Sequence, residues 1–320
     1  MAASSNSSDK PTSIVLRPDT WDTHVHVFDS AVGPFAPSRS YTPAQATLEQ
    51  LLQFSSGLTK DRPTNIVLVQ PSPYRTDNTV LLHSLRRLRD GGFRHARGIA
   101  VVDVDAVSDK ELWEMHGLGV RGLRINMQAD GADTDVEALR EVVVRTAERI
   151  RRLPGWKIQL TRRLIHITDL YETIANLPVD VIADHVGGLR GSSKLDPGAV
   201  VSDEALLMQP GLESLVKLAT QSKVIIKISG LYRLSDEADS GYDDLGPVIR
   251  TLAEAVPDRL VWGSDWPHTG EGKDRLKRGK EAIEEFRQID DELVVNNLRQ
   301  WIGNENWLKM MTANPAKVYT

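Results

Sequence analysis

Cysteine is absent from the 320 residues. Its absence excludes disulfides, thiolate metal sites and cysteine nucleophiles together. Long apolar runs are missing too, and nothing approaches the roughly 18 residues that a membrane span requires. The opening MAASSNSSDK has neither the basic segment nor the apolar stretch of a secretory signal, so a cytoplasmic location is expected. Positive charge is not in excess: 39 Lys and Arg stand against 44 Asp and Glu, for a net charge of −5. A broad basic face for nucleic acid or anionic lipid is therefore not expected. Histidine is scarce, at eight residues, so where it falls is informative.

What remains is ordinary for a globular chain, with 40% hydrophobic and 26% charged residues. The length allows two average domains or one large α/β barrel. Residues 1–12 form a Ser-rich polar tail that reads as disordered. Residues 13–320 read as one unit, without internal repeat or linker. Strand candidates are Trp21–Phe28, Asn65–Gln70, Ala96–Asp103, Gly119–Asn126, Trp156–Thr161, Asp180–Val186, Lys223–Gly230 and Arg259–Trp266. Stretches of helical period lie between them, at 78–89, 135–151, 170–176, 212–221 and 242–255. NIVLVQ and KVIIKIS are continuous apolar runs, as expected of strands covered on both faces. Eight strands alternating with helices point to a (β/α)₈ barrel, with an open doubly wound sheet as the alternative. The last 40 residues read as helical through KEAIEEFRQI, ELVVNNLRQWIG and NWLKMMTANPAKVY.

A barrel places its chemistry at the carboxyl ends of its strands. In WDTHVHVFD, His24 and His26 are two residues apart and so project from one face of a strand. Gln70, Arg124, Asn126, Gln159, Asp184, His185, Arg233, Asp265 and His268 fall at or just past the ends of later strands. The chemically capable residues thus gather at one end of the expected barrel. The other histidines, His83, His95, His116 and His166, carry no such context and read as structural or solvated.

WDTHVHVFD, QPSPYRTDN, GVRGLRIN, ADHVGG, VWGSDWPH and ANPAKVY together resemble the amidohydrolase superfamily. The resemblance is to its lactone-hydrolysing branch, which includes 2-pyrone-4,6-dicarboxylate lactonase and sugar-lactone hydrolases, and it spans residues 20–319. It implies a (β/α)₈ TIM barrel and a hydrolase acting on carboxylic ester bonds. The implied reaction opens a carboxylated or sugar-acid lactone with water activated by Asp265. His24, His26 and His185 match the cluster that either binds a divalent metal or hydrogen-bonds the substrate carbonyl. Arg124 and Arg233 match arginines that hold a substrate carboxylate. Ser72, Tyr74 and Thr76 lie in a loop where the family contacts substrate, and Tyr41, Gln159 and His268 are further candidates.

Two departures refine what the resemblance implies. Metal-dependent members supply a Lys or Glu from the fourth strand or a His from the fifth, where this chain has Arg124, Asn126 and Gln159. No metal is therefore expected to be required. A single zinc or manganese on His24, His26, His185 and Asp265 remains chemically open. The pyrone-dicarboxylate enzymes also carry a second arginine beyond the one matching Arg124, where MQADGAD offers Asp130 and Asp133. A mono-acid or sugar lactone is the expected small-molecule partner, and oligomeric state is open. The alternatives are a metal-dependent decarboxylase of the same superfamily and a lactone isomerase. The Gly/Ser/Pro-rich segment 187–211 reads as a partial lid.

Overall fold

The computed structural model describes residues 15–125, 135–161, 165–196, 198, 202–270 and 279–320. The tail at 1–12, Asn126, Asp130 and Asp133 lie outside the described residues, as do 197 and 199–201 of the segment read as a lid. Eight parallel strands follow one another in sequence order: β1 (Trp21–Val25), β2 (Asn65–Val69), β3 (Ala96–Ala100), β4 (Val120–Ile125), β5 (Lys157–Leu160), β6 (Val181–Ala183), β7 (Val224–Ser229) and β8 (Leu260–Gly263). Helices alternate with them, among them Leu48–Thr59, Thr79–Asp90, Asp109–Gly117, Val136–Ile150, Leu212–Thr220 and Gly246–Ala255. This is the (β/α)₈ barrel that the strand pattern predicts.

The barrel closes where the chain leaves β8. Asp265 N–H donates to His24 O and His26 N–H donates to Trp266 O, both at 2.9 Å. Thr23 Oγ1 adds a 2.6 Å bond to Trp262 O. The register between β1 and β2 shifts on the way, because three residue steps from Asp22 to Val25 span two from Ile66 to Leu68. That extra residue lets Trp21 and His24 both face the interior, which strict alternation would forbid.

Two apolar clusters follow from the alternation. One lies between sheet and helices and takes Ile66, Leu68, Leu123, Ile158, Val181, Val224, Ile226 and Leu260. The other fills the floor of the barrel with Trp21, Val67, Ile99, Ile182, Ile225, Val261 and Tyr319. Tyr319 stacks on Trp21 with ring centroids 6.0 Å apart.

The C-terminal region is largely helical, through Asp291–Leu308 and Asn314–Tyr319. Lys280–Ile289 is not, which corrects the helical reading of KEAIEEFRQI. Ile283–Glu284 instead pair in parallel with Thr42–Pro43, and Arg287 N–H donates to His268 O at 2.9 Å. Tertiary pairing overrides local helical preference here.

Candidate active site

Positions two apart on a strand share a face, and on six strands polar groups turn inward above the apolar floor. Ile225 belongs to the floor, so Lys227 and Ser229 rise from it on β7. The same alternation turns Gln159 and Thr161 inward from β5, and Asp184 inward just past β6 next to Ile182. Arg124 on β4 is the register partner of Gln159. Asp265 ends the series past β8, and His24 and His26 complete the ring from β1.

Asp265 is fully buried and asymmetrically held. Its Oδ2 accepts from Arg233 Nε and from Tyr232 OH, each at 2.7 Å. Its Oδ1 is buried without a hydrogen-bond donor and lies 3.6 Å from His24 Nε2 and 3.7 Å from His26 Nε2. Burial alone would raise the carboxyl pKa. Arg233 above all overcomes that and holds it well below the usual carboxylate range. Asp265 is therefore an anion at any physiological pH.

The three histidines are kept neutral. Burial pushes each below its ordinary value, His185 to about 3. His24 and Arg124 add to the effect on His26. His26 Nδ1 lies 2.7 Å from Val69 O, so it carries the proton and Nε2 is a bare acceptor. His185 Nδ1 meets Ser229 Oγ at 3.0 Å. His185 and Asp265 both have positive φ, at 50° and 65°, and such strained backbone concentrates at functional sites.

Beneath the histidines lies a group that the strand pattern did not single out. Lys227 is fully buried, with Nζ donating to Gln159 Oε1 at 2.8 Å and lying 3.3 Å from Asp184 Oδ1. Asp184 Oδ2 accepts from Gln159 Nε2 at 2.9 Å and from Thr161 Oγ1 at 2.8 Å. Lys227 above all offsets burial and holds Asp184 ionised. A lone lysine at an inward position of KVIIKIS is the signal that could have found it.

The other expected residues divide into two sets. Arg124 reaches the cluster, donating through Nη1 to Gln70 O at 3.1 Å, while its Nε has no partner. Tyr41 is buried close enough to act electrostatically on both Arg124 and Arg233. Gln159 spends both ends of its amide on Lys227 and Asp184. Arg233 spends Nε on Asp265 and Nη2 on Tyr232 OH and Thr269 Oγ1. Tyr74 is buried against Phe28 and Phe35, with its hydroxyl accepting from Asp29 N–H at 2.8 Å. Ser72 is half-buried and Thr76 is exposed. His268 packs edge-on behind Tyr232 and faces Asp291 at 3.3 Å.

Two overlapping donor groups, His24–His26–Asp265 and His24–Asp184–His185, have ligand atoms within 4.8 Å of one another and could hold a metal ion. The donor types suit zinc or manganese. The surrounding charge does not suit a cation. Asp184 is matched by Lys227 and Asp265 by Arg233, and Arg124 adds a further positive charge. Among the described residues of this cluster, the three cations Lys227, Arg233 and Arg124 exceed the two carboxylates Asp184 and Asp265.

Comparison with known proteins matches the amidohydrolase family model over residues 21–319. A 4-sulfomuconolactone hydrolase of Rhizobium radiobacter is 33% identical over 269 residues, covering 81% of this chain and 79% of that protein. A 2-pyrone-4,6-dicarboxylate hydrolase of Comamonas testosteroni is 32% identical over 256 residues, or 77% and 76% of the two chains. Among solved structures, a putative 2-pyrone-4,6-dicarboxylic acid hydrolase from Pseudomonas putida superposes with a TM-score of 0.69 at 26% identity, covering 95% of this chain and 98% of that one. Among the described residues no helix is long and apolar enough to cross a membrane.

Proposed function

The chain belongs to the amidohydrolase family, and from that premise we propose that it is a lactone hydrolase whose substrate carries a carboxylate. The observation that carries this reading is the convergence of Asp265 Oδ1, His24 Nε2 and His26 Nε2 in one buried cluster, with Arg124 close enough to act electrostatically on His26. The relatives' named activities, hydrolysis of a sulfomuconolactone and of a pyrone dicarboxylate, support the same reaction class.

Hydrolysis needs a proton acceptor for water and a donor for the oxyanion. A water between Asp265 Oδ1 and His26 Nε2 would give one hydrogen to each acceptor and turn a lone pair towards the ring carbonyl. Asp265 takes the proton as the water attacks. Its low pKa makes it a weak base in isolation, so orientation supplies what basicity does not. Arg233 and Tyr232 act on Oδ2, fixing the carboxylate so that Oδ1 faces the water. His24 Nε2 faces the carbonyl oxygen and His185 flanks it.

Arg124 holds the substrate carboxylate, because its Nε is unpartnered, its Nη2 makes only a long 3.5 Å bond to Thr161 Oγ1, and its planar fork matches a carboxylate. With Arg233 engaged by Asp265, Arg124 is the arginine of this cluster, among the described residues, left to meet a substrate carboxylate, which favours a mono-acid lactone. A divalent ion on His24, His26 and Asp265 does not fit the charge balance, and no step is assigned to one. The test is acid release across a panel of lactones with and without a ring carboxylate. Turnover of the carboxylated members is expected, and no turnover of any member would overturn the reading.

A further inference from the structure

We infer that Lys227 is a positioning residue that sets the tautomer of His24, so that Nε2 carries the ring proton into the site. Its ammonium lies 3.4 Å from His24 Nδ1 in hydrogen-bond geometry. An ammonium can only donate, so the nitrogen facing it must present a lone pair. A neutral imidazole with a bare Nδ1 carries its hydrogen on Nε2. His24 then offers a donor to a carbonyl oxygen rather than a lone pair to a metal.

Asp184 competes for the same nitrogen. Its Oδ1 lies 3.3 Å from His24 Nδ1 and, as a carboxylate, would call for a proton there. That oxygen makes no hydrogen bond, so it is a charge contact off the ring N–H direction. Its partner Oδ2 is occupied by Gln159 and Thr161, which fixes the carboxylate plane. Gln159 Oε1 in turn fixes the lysine at 2.8 Å. The result is a fully buried frame of Lys227, Gln159 and Asp184 in which both partners approach His24 Nδ1, the ammonium at 3.4 Å with hydrogen-bond geometry and the carboxylate oxygen at 3.3 Å without it.

Removing the charge should reverse the outcome. In Lys227→Met, Asp184 would be the remaining partner of Nδ1, the proton would move to Nδ1, and Nε2 would become bare. A carboxylate-backed histidine is the arrangement metal sites use, and changes at that level typically alter metal affinity 10- to 100-fold. With His26 Nε2 and Asp265 Oδ1 already bare, Lys227→Met would turn an anion site into a cation site.

The use made of the donor rests on the lactone-hydrolase reading, but the tautomer can be measured without turnover. NMR of protein carrying ¹⁵N-labelled histidine, with His24→Gln to assign the signal, reports which ring nitrogen is protonated. Wild type and Lys227→Arg are expected to show the proton on Nε2. Lys227→Met is expected to show it on Nδ1, with zinc binding by calorimetry tightened on the order of tenfold or more. A wild-type proton on Nδ1, or an unchanged tautomer in folded Lys227→Met, would overturn the inference. If Lys227→Met does not fold, Lys227→Gln provides the uncharged variant of similar length, and its tautomer decides in the same way. Failure of the hydrolase reading would appear separately, as absent turnover with the tautomer as described.

Discussion

Arg233 Nε and Tyr232 OH donate to the same oxygen of Asp265, each at 2.7 Å, so that Oδ1 alone is left for chemistry. This separates two arginines that look equivalent in the sequence. Arg233 works on the carboxylate of the protein, and Arg124 is assigned to a carboxylate of the substrate. The difference can be measured.

Arg124→Met should raise KM for a carboxylated lactone by roughly 10- to 100-fold, the value of a hydrogen bond to a charged group. A neutral lactone should be little affected. Arg233→Met should instead lower kcat for both substrates, because it frees the Asp265 carboxylate to rotate. Steady-state kinetics on both substrates would show it, and a selective KM effect in Arg233→Met would exchange the two roles.

Asp265→Asn should lower kcat by about 10²–10⁴-fold, since an amide cannot accept the proton from water. Its size and its contact with Tyr232 are preserved, so circular dichroism should show a folded protein. Turnover close to wild type would remove Asp265 as the acceptor.

Gly230 sits at φ +56°, and a Cβ there would lie 2.7 Å from His185 Nδ1 and 2.8 Å from Asp265 Oδ2. Gly230→Ala should therefore cost about 1–3 kcal/mol of stability from backbone strain. It should also displace both site residues and reduce kcat well beyond what the stability loss explains. Thermal melts set beside kcat would separate the two effects.

The buried Asp22 carboxyl is pushed up to about 7 by desolvation, which outweighs its bonds from Ser264 N–H at 2.9 Å and His24 N–H at 3.3 Å. A carboxyl whose folded pKa is raised favours the folded state in its protonated form. That contribution is complete below its ordinary value of 3.8 and is lost as the pH rises through about 7. The loss is at most about 4 kcal/mol. Asp22→Asn should thus gain stability over wild type at pH 8 and little at pH 4. Urea melts at both values check this, and an equal shift at both would show that Asp22 does not titrate in that range.

Activity should survive dialysis against a strong chelator, and added zinc should not increase it, given the positive charge around the histidines. Elemental analysis of the active protein provides the check. One tightly bound ion per chain, with activity lost on its removal, would reverse the charge argument and favour the decarboxylase reading.

The barrel was legible because its strands are short apolar runs bounded by polar residues. KVIIKIS, read as Lys223–Gly230, folds as Val224–Ser229. His24, His26, His185, Arg124 and Asp265 were legible because strand ends place them together. Lys227 was hidden because a single charge in an apolar run does not break the run, and only its parity with Ile225 and Ser229 shows that it points inward. The partners of Arg233 and Tyr74 were not legible either. Both residues have the chemistry to bind a ligand, and both spend it on groups distant in the chain, Asp265 and Asp29. The strand at Ile283–Glu284 depends on a partner some 240 residues earlier, which no local period reports.

The positive charge of Arg124 and Arg233 also bears on product release. Opening a carboxylated lactone leaves a hydroxy acid with one more negative charge than the substrate had. On the lactone-hydrolase reading, Arg124 and Arg233 would attract that product more strongly than they attracted the closed ring. Departure of the opened acid, rather than ring cleavage, is then the expected slow event. Rapid mixing would show it as an initial burst of acid followed by a slower steady rate, and raised ionic strength would speed the second phase.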